Sequence, residues 1–164
     1  MVSMEVIDIE MPKDSNIILG YSHFIKTVED LNEIILTHLS GAEYAIAFSE
    51  ASGDRLIRFE SNNGELLEAA LKNIKKISAG HTFLIFLRKA FPIAVLNQIK
   101  NCQEVGRIFA ATANPLSVVV AKLESGNGIL GVIDGFSPVG IENEEHKIKR
   151  KKFRSCCCGC DDLS

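Results

Sequence analysis

Apolar positions along the chain change period several times, and each change marks a boundary between elements. Glu5-Val-Ile-Asp-Ile-Glu10 reads as a strand, and residues 16–25 as a second one kinked at Gly20. The spacing then becomes helical at Leu31, Ile34, Ile35 and Leu39. Thr27 is the expected N-cap, Glu29 and Asp30 fall in the first turn, and Gly41 is the stop. Residues 44–48 and 56–59 read as a hairpin around Ser52-Gly53-Asp54. Asn63 is placed to cap a second helix, on which Leu66, Leu67, Ala70, Leu71 and Ile74 share one face. Gly80 precedes a strand over 81–87 that is apolar on both faces, which predicts a central position covered on both sides. Pro92 opens a short helix through Ile93, Leu96 and Ile99. Strands follow at 107–113, 116–123 and 129–133, and 142–154 is a charged helix or a tail.

The order β-β-α-β-β-α-β-α-β-β-β-α mixes crossovers with hairpins. It predicts an α/β fold: one compact domain with a mixed β-sheet and helices packed on it in three α/β/α layers. A doubly wound, all-parallel sheet does not fit. The domain is expected over 1–146, and 147–164 as a basic, Cys-rich, flexible tail.

Composition adds limits. The 164 residues are 46% hydrophobic and 24% charged, as expected of one globular domain. A net charge of −3 argues against a nucleic-acid binder. No apolar run approaches the ~18–20 residues of a membrane span. The first twelve residues carry Glu5, Asp8 and Glu10 in place of the basic start and apolar core of a signal peptide, so the expected address is cytoplasmic. Cys102 stands alone, while Cys156, Cys157, Cys158 and Cys160 lie too close together to staple distant parts of a fold.

Several polar groups are candidates for chemistry. Gly126-Asn-Gly-Ile-Leu-Gly131 matches the glycine pattern of dinucleotide-binding folds, but a β-rich stretch follows it where a helix is required. A glycine hairpin is the better reading. Asp134-Gly-Phe-Ser137-Pro and Thr112-Ala-Asn114-Pro lie at strand ends. There they either cap turns or hold ligand groups: a ribose or a metal at Asp134 and Ser137, a purine edge or a sugar hydroxyl at Asn114. Glu50 and Ser52 add a carboxylate and a hydroxyl at a hairpin tip, and Lys26, Arg88 and Lys89 are cations near strand ends. His23 sits among these groups, and His81 opens the most apolar strand, on the face of Phe83, Ile85 and Leu87 if alternation holds. Such a histidine is more often a hydrogen-bonded core residue than a catalyst, yet neutral imidazole is a competent nucleophile near pH 7.

Five stretches carry a resemblance to a known family: His23-Phe-Ile-Lys-Thr-Val-Glu-Asp-Leu31, Ala47-Phe-Ser-Glu-Ala-Ser-Gly53, Gly80-His81 through Phe91-Pro92, Arg107-Ile-Phe-Ala-Ala-Thr-Ala-Asn-Pro115 and Gly128-Ile-Leu-Gly-Val-Ile-Asp-Gly135. Together they resemble the adenosine-specific kinases over about residues 3–150. The resemblance implies binding of adenosine and adenine nucleotides, phosphate transfer from ATP through a phosphohistidine, and assembly into trimers or larger homo-oligomers; Mg²⁺ is expected to screen the developing phosphate charge. It gives His81 the phosphoryl role. A carboxylate, Asp134 or Glu50, is then expected to orient or deprotonate the acceptor hydroxyl. Thr112, Asn114, Ser137, Glu50, Ser52 and Lys26 are expected to form the nucleotide pocket. No metal ligands are assigned. A non-catalytic nucleotide sensor and a purely structural oligomer remain alternatives.

The tail departs from the family. Lys147-Ile-Lys-Arg-Lys-Lys-Phe-Arg154 precedes the four terminal cysteines. Basic residues beside cysteines fit S-acylation and membrane contact. The thiols otherwise hold a soft metal, for which adjacent cysteines are poorly spaced, or form a solvated end.

Overall fold

The apolar strand after Gly80 forms the centre of the molecule. The computed structural model describes residues 2–158, with side chains to residue 152. Strands Ser15–Ser22 (β2), Glu43–Ser49 (β3), Ile57–Ser61 (β4), Thr82–Arg88 (β5) and Val105–Thr112 (β6) form a five-stranded sheet in the order β4-β3-β5-β2-β6. Strands Ser3–Asp8 (β1), Leu116–Leu123 (β7) and Gly126–Asp134 (β8) form a smaller sheet in the order β1-β7-β8. Every position of β5 from Thr82 to Leu87 is buried, as its unbroken apolar run requires.

Alternation sends each face of the five-stranded sheet into its own core. On one face Ile18, Ile46, Phe48, Phe83 and Ile85 meet Val28, Leu31 and Ile35 of helix α1 (Thr27–His38) and Ile99 of the short helix α3 (Leu96–Lys100). On the other face Ile17, Leu19, Ala45, Leu84 and Phe86 meet Leu66, Ala70, Ile74 and Ile77 of helix α2 (Gly64–Ile77). Val118 and Val120 of β7 complete that second core, so α2 and the small sheet share one layer. The expected α/β class, with helices on both faces of a sheet, holds.

The named strand pairs are all antiparallel. The expected helical crossovers exist, and each joins two strands of like direction that are not neighbours. β2-α1-β3 steps over β5, β4-α2-β5 over β3, and β5-α3-β6 over β2. A strand of opposite direction fills each gap.

Local signals were kept or overridden for identifiable reasons. Asn63 caps α2, its Oδ1 accepting from Leu66 N at 3.1 Å. Thr27 is not the cap expected of it: it is the first helical residue, after Lys26, and is fully buried. Its hydroxyl donates to Phe24 O at 2.6 Å and meets Ser22 Oγ at 2.6 Å, spending its bonds on the turn between β2 and α1. That turn also ends β2 at Ser22, short of Ile25. The kink at Gly20 is a register shift against β6. A Cβ there would lie 2.3 Å from Phe83 Cζ and 2.7 Å from Arg107 O, so only glycine fits. The charged C-terminal stretch forms helix α4 (Glu144–Cys158). Cys156, Cys157, Cys158 and Cys160, on which the acylation and metal readings rest, lie outside the described side chains. No helix among the described residues is long and apolar enough to cross a membrane.

Candidate functional site

Three backbone segments converge where β2 and β3 end and β5 begins, and His81 is held between them. Its N–H donates to Ser49 O at 2.7 Å, and its carbonyl accepts from Ser22 N at 2.9 Å. Between these anchors His81 takes φ +60°, a left-handed conformation that costs a non-glycine residue about 1–3 kcal/mol. The strand therefore starts one residue later than its apolar pattern predicts. Gly80 lets the β3–β4 loop close over this point, since a Cβ there would come within 2.8 Å of Ala51 Cβ.

The imidazole is fixed on two sides. Phe48 lies parallel to it, with ring centroids 6.1 Å apart and planes 5° apart, and Tyr21 meets it edge-on at 5.9 Å. Its Nε2 stands 3.7 Å from Glu50 Oε1, with 28% of the His81 side chain exposed. Glu50 Oε1 in turn accepts from Ala51 N at 3.0 Å, Ser52 N at 3.4 Å and Ser52 Oγ at 3.3 Å. Burial opposes ionisation of Glu50. The two backbone bonds, the Ser52 hydroxyl and the His81 charge outweigh it, and its pKa lies below the ordinary carboxylate value. A preorganised carboxylate thus faces a half-exposed imidazole.

Glu50 also lies on two cavities. One of about 420 Å³ is lined by Ile25, Ser52, Arg55 and Arg58 among others. One of about 570 Å³ is lined by Asp54, Arg55, Gly80, Gly126 and Asn127 among others. Arg55 borders both, and its guanidinium forms no ion pair among the described residues. Sequence reasoning missed this residue, because a cation inside a hairpin loop ordinarily faces water. The expected hairpin forms between β7 and β8, but its turn is Glu124-Ser125, and the glycine-rich motif itself runs along β8 from Gly126 at φ +150°. Its tip contributes to the second cavity through a bridge between Ala79 and Asn127, which the sequence did not foretell.

The other expected site residues divide. Glu50, Ser52 and His81 come together. Lys26 lies at the same sheet end, its Nζ 3.5 Å from Asp30 Oδ1. Thr112, Asn114 and Asp134 also meet one another, but elsewhere. Asp134 Oδ1 accepts from Thr112 Oγ1 at 2.9 Å and Asn114 Nδ2 at 3.1 Å. Thr112 lies opposite Ile17 on β2, whereas His81 bonds Ser22, five residues further along that strand. At ~3.3 Å per residue this is about 17 Å, so one chain does not bring Asp134 to His81. Ser137 is exposed three residues beyond Asp134. Arg88 and Lys89 are at the far sheet end too, both paired with Glu43, and do not serve the His81 site. Burial, then the Glu104 carboxylate, push the Cys102 thiol up to about 11, so it is a poor nucleophile at pH 7.

Comparison with known proteins supplies an independent view of the whole chain. A family described as adenosine specific kinase matches residues 7–157. A crystal structure of the PH1918 protein from Pyrococcus horikoshii OT3 superposes with a TM-score of 0.93 at 41% sequence identity, covering 99% of this chain and 100% of that one. No curated protein matches. The family match spans every element from the end of β1 into α4, including the His81 strap, the Glu50 loop and the glycine hairpin, and on that extent the chain belongs to the adenosine-specific kinase family.

Proposed function

We propose that this protein is a cytoplasmic phosphotransferase that binds adenosine, ATP and other adenine nucleotides beside His81. It moves phosphate from ATP to adenosine through a phosphohistidine. The observation that carries this reading is the His81–Glu50 pair: a half-exposed imidazole held in a strained conformation, 3.7 Å from a carboxylate that borders two cavities.

In the first half-reaction, the unprotonated ring nitrogen of His81 attacks the terminal phosphorus of ATP. An N–P bond forms, the P–O bond to ADP breaks, and ADP leaves with the bonding electrons. Glu50 stabilises the positive charge that develops on the ring, and Phe48 and Tyr21 keep the ring aligned. In the second half, the adenosine 5′-hydroxyl attacks the phosphorus and passes its proton to Glu50. The N–P bond breaks and its electrons return to the imidazole. Glu50, rather than Asp134, takes the base role because it is the carboxylate beside His81 in one chain. Arg55 and Lys26 are the cations at this sheet end that suit phosphate. Glu50 and Asp54, sharing the larger cavity, offer the oxygen ligands that Mg²⁺ prefers. The ion would neutralise phosphate charge.

Thr112, Asn114, Asp134 and Ser137 contact the nucleotide only where another copy of the chain carries them alongside. Assembly of that kind, into trimers or larger, fits the exposed Val2 before β1, Met4 and Val6 on it, and Phe136, Val139 and Ile141 after β8. Steady-state conversion of adenosine and ATP to AMP and ADP tests the proposal. Turnover that disappears in His81→Asn supports it. Nucleotide binding without any AMP formation contradicts it and describes a sensor.

A further inference from the structure

A second set of ligating side chains lies on the helix side of the same sheet end, and the phosphoryl chemistry does not use it. Asp30 comes from α1; Cys102 and Glu104 come from the connection between α3 and β6. One potential ligand atom from each lies within 4.8 Å of the other two, and this is the one such group of three among the described residues.

Glu104 is the informative member. It is 6% exposed, and its Oε1 has no hydrogen-bond partner. A buried carboxylate oxygen without a partner is costly, and proteins relieve that cost with a cation. Lys26, which lines one of the flanking cavities, pairs with Asp30 while its own side chain stays 63% exposed at the surface. His23 belongs to the surroundings: its Nδ1 donates to Glu104 O at 2.9 Å, which leaves the lone pair on Nε2. Cavities of about 340 and 460 Å³ flank the group, and Asp30, Gln103 and Glu104 line both, so an ion has a path from solvent.

We infer that Asp30, Cys102 and Glu104 bind a divalent transition-metal ion of the zinc type. Two carboxylate oxygens and one sulfur are the three protein ligands of an open tetrahedral site, with water completing it. The sulfur selects against Mg²⁺ and Ca²⁺, which keeps this ion distinct from one accompanying ATP. On binding, a sulfur–metal bond forms and the thiol proton passes to solvent. The ion ties α1 to the start of β6. His23 N donates to Glu104 O at 3.2 Å, and the adjacent Ser22 N holds the His81 carbonyl, so the ion steadies the strap from behind.

The test uses the full-length chain carrying Cys156→Ser, Cys157→Ser, Cys158→Ser and Cys160→Ser, which leaves Cys102 as its only thiol. Titration with Cd²⁺ should give a saturable thiolate-to-metal absorption band at one equivalent, and Zn²⁺ should raise the melting temperature. Cys102→Ser on this background should remove the band. Glu104→Gln should weaken Cd²⁺ binding at least about tenfold. Asp30→Asn, at a half-buried helix position, should weaken it too and serves where a buried substitution prevents folding. Absence of the band, or a band of unchanged affinity in both carboxylate variants, overturns the site. None of these readouts depends on kinase activity.

Discussion

His81 combines two properties that composition alone would not pair: a nucleophilic side chain and a left-handed backbone. Asparagine tolerates that conformation as well as histidine does and offers no nucleophile. His81→Asn should therefore fold with a melting temperature within a few degrees of wild type while losing phosphate transfer entirely. Gly80→Ala acts on the same spot sterically. Its Cβ would press on Ala51 beside Glu50, and we expect a loss of about 1–3 kcal/mol in denaturant unfolding together with slower turnover. At this scale the sequence offered His81 and Glu50 among its candidates, and the fold brings these two within 3.7 Å of each other. The sequence was not readable where position depends on distant pairing. Asp134, Thr112 and Asn114 form the polar cluster that their strand-end spacing allowed, but the antiparallel register puts them at the opposite end of the sheet from His81.

Elements with a strong local period were legible. α2 begins at the cap and turns the face that its spacing required, because Asn63 and the leucine pattern agree. Asn63→Ala should lower stability by about 1 kcal/mol in urea unfolding and leave the kinetics unchanged. α1 shows the opposite case, since the buried turn before it took up the Thr27 hydroxyl. Gly20→Ala should abolish soluble expression, because its new carbon meets both the Phe83 ring and the Arg107 carbonyl. What periodicity could not give was strand order. Each crossover steps over one strand, and that choice is made by long-range packing of two cores, not by any local signal.

Across the whole molecule, charge ties the segment after β1 to α2. Glu10 pairs with both Lys72 and Lys76, and hydrogen bonds to Lys72 and then Lys76 hold its carboxyl at about 2, down from the ordinary 4.5. A depressed folded pKa means that its contribution is present above the ordinary value and fades as pH falls towards about 2. Glu10→Gln should thus be less stable than wild type at pH 7 in urea unfolding, with the difference vanishing near pH 2. The exposed apolar residues on β1 and after β8 make assembly the expected state in solution, and a sedimentation mass of one 18.0 kDa chain would contradict it.

Whether His81 carries phosphate can be read directly by labelling. The protein is incubated with ATP labelled at the terminal phosphate, the adduct is located by mass spectrometry under alkaline conditions, and unlabelled adenosine is then added. An acid-labile phosphate should form on His81, move to AMP on addition of adenosine and never form in His81→Asn. A label on another residue, or one that persists in His81→Asn, would contradict a phosphoryl role for His81.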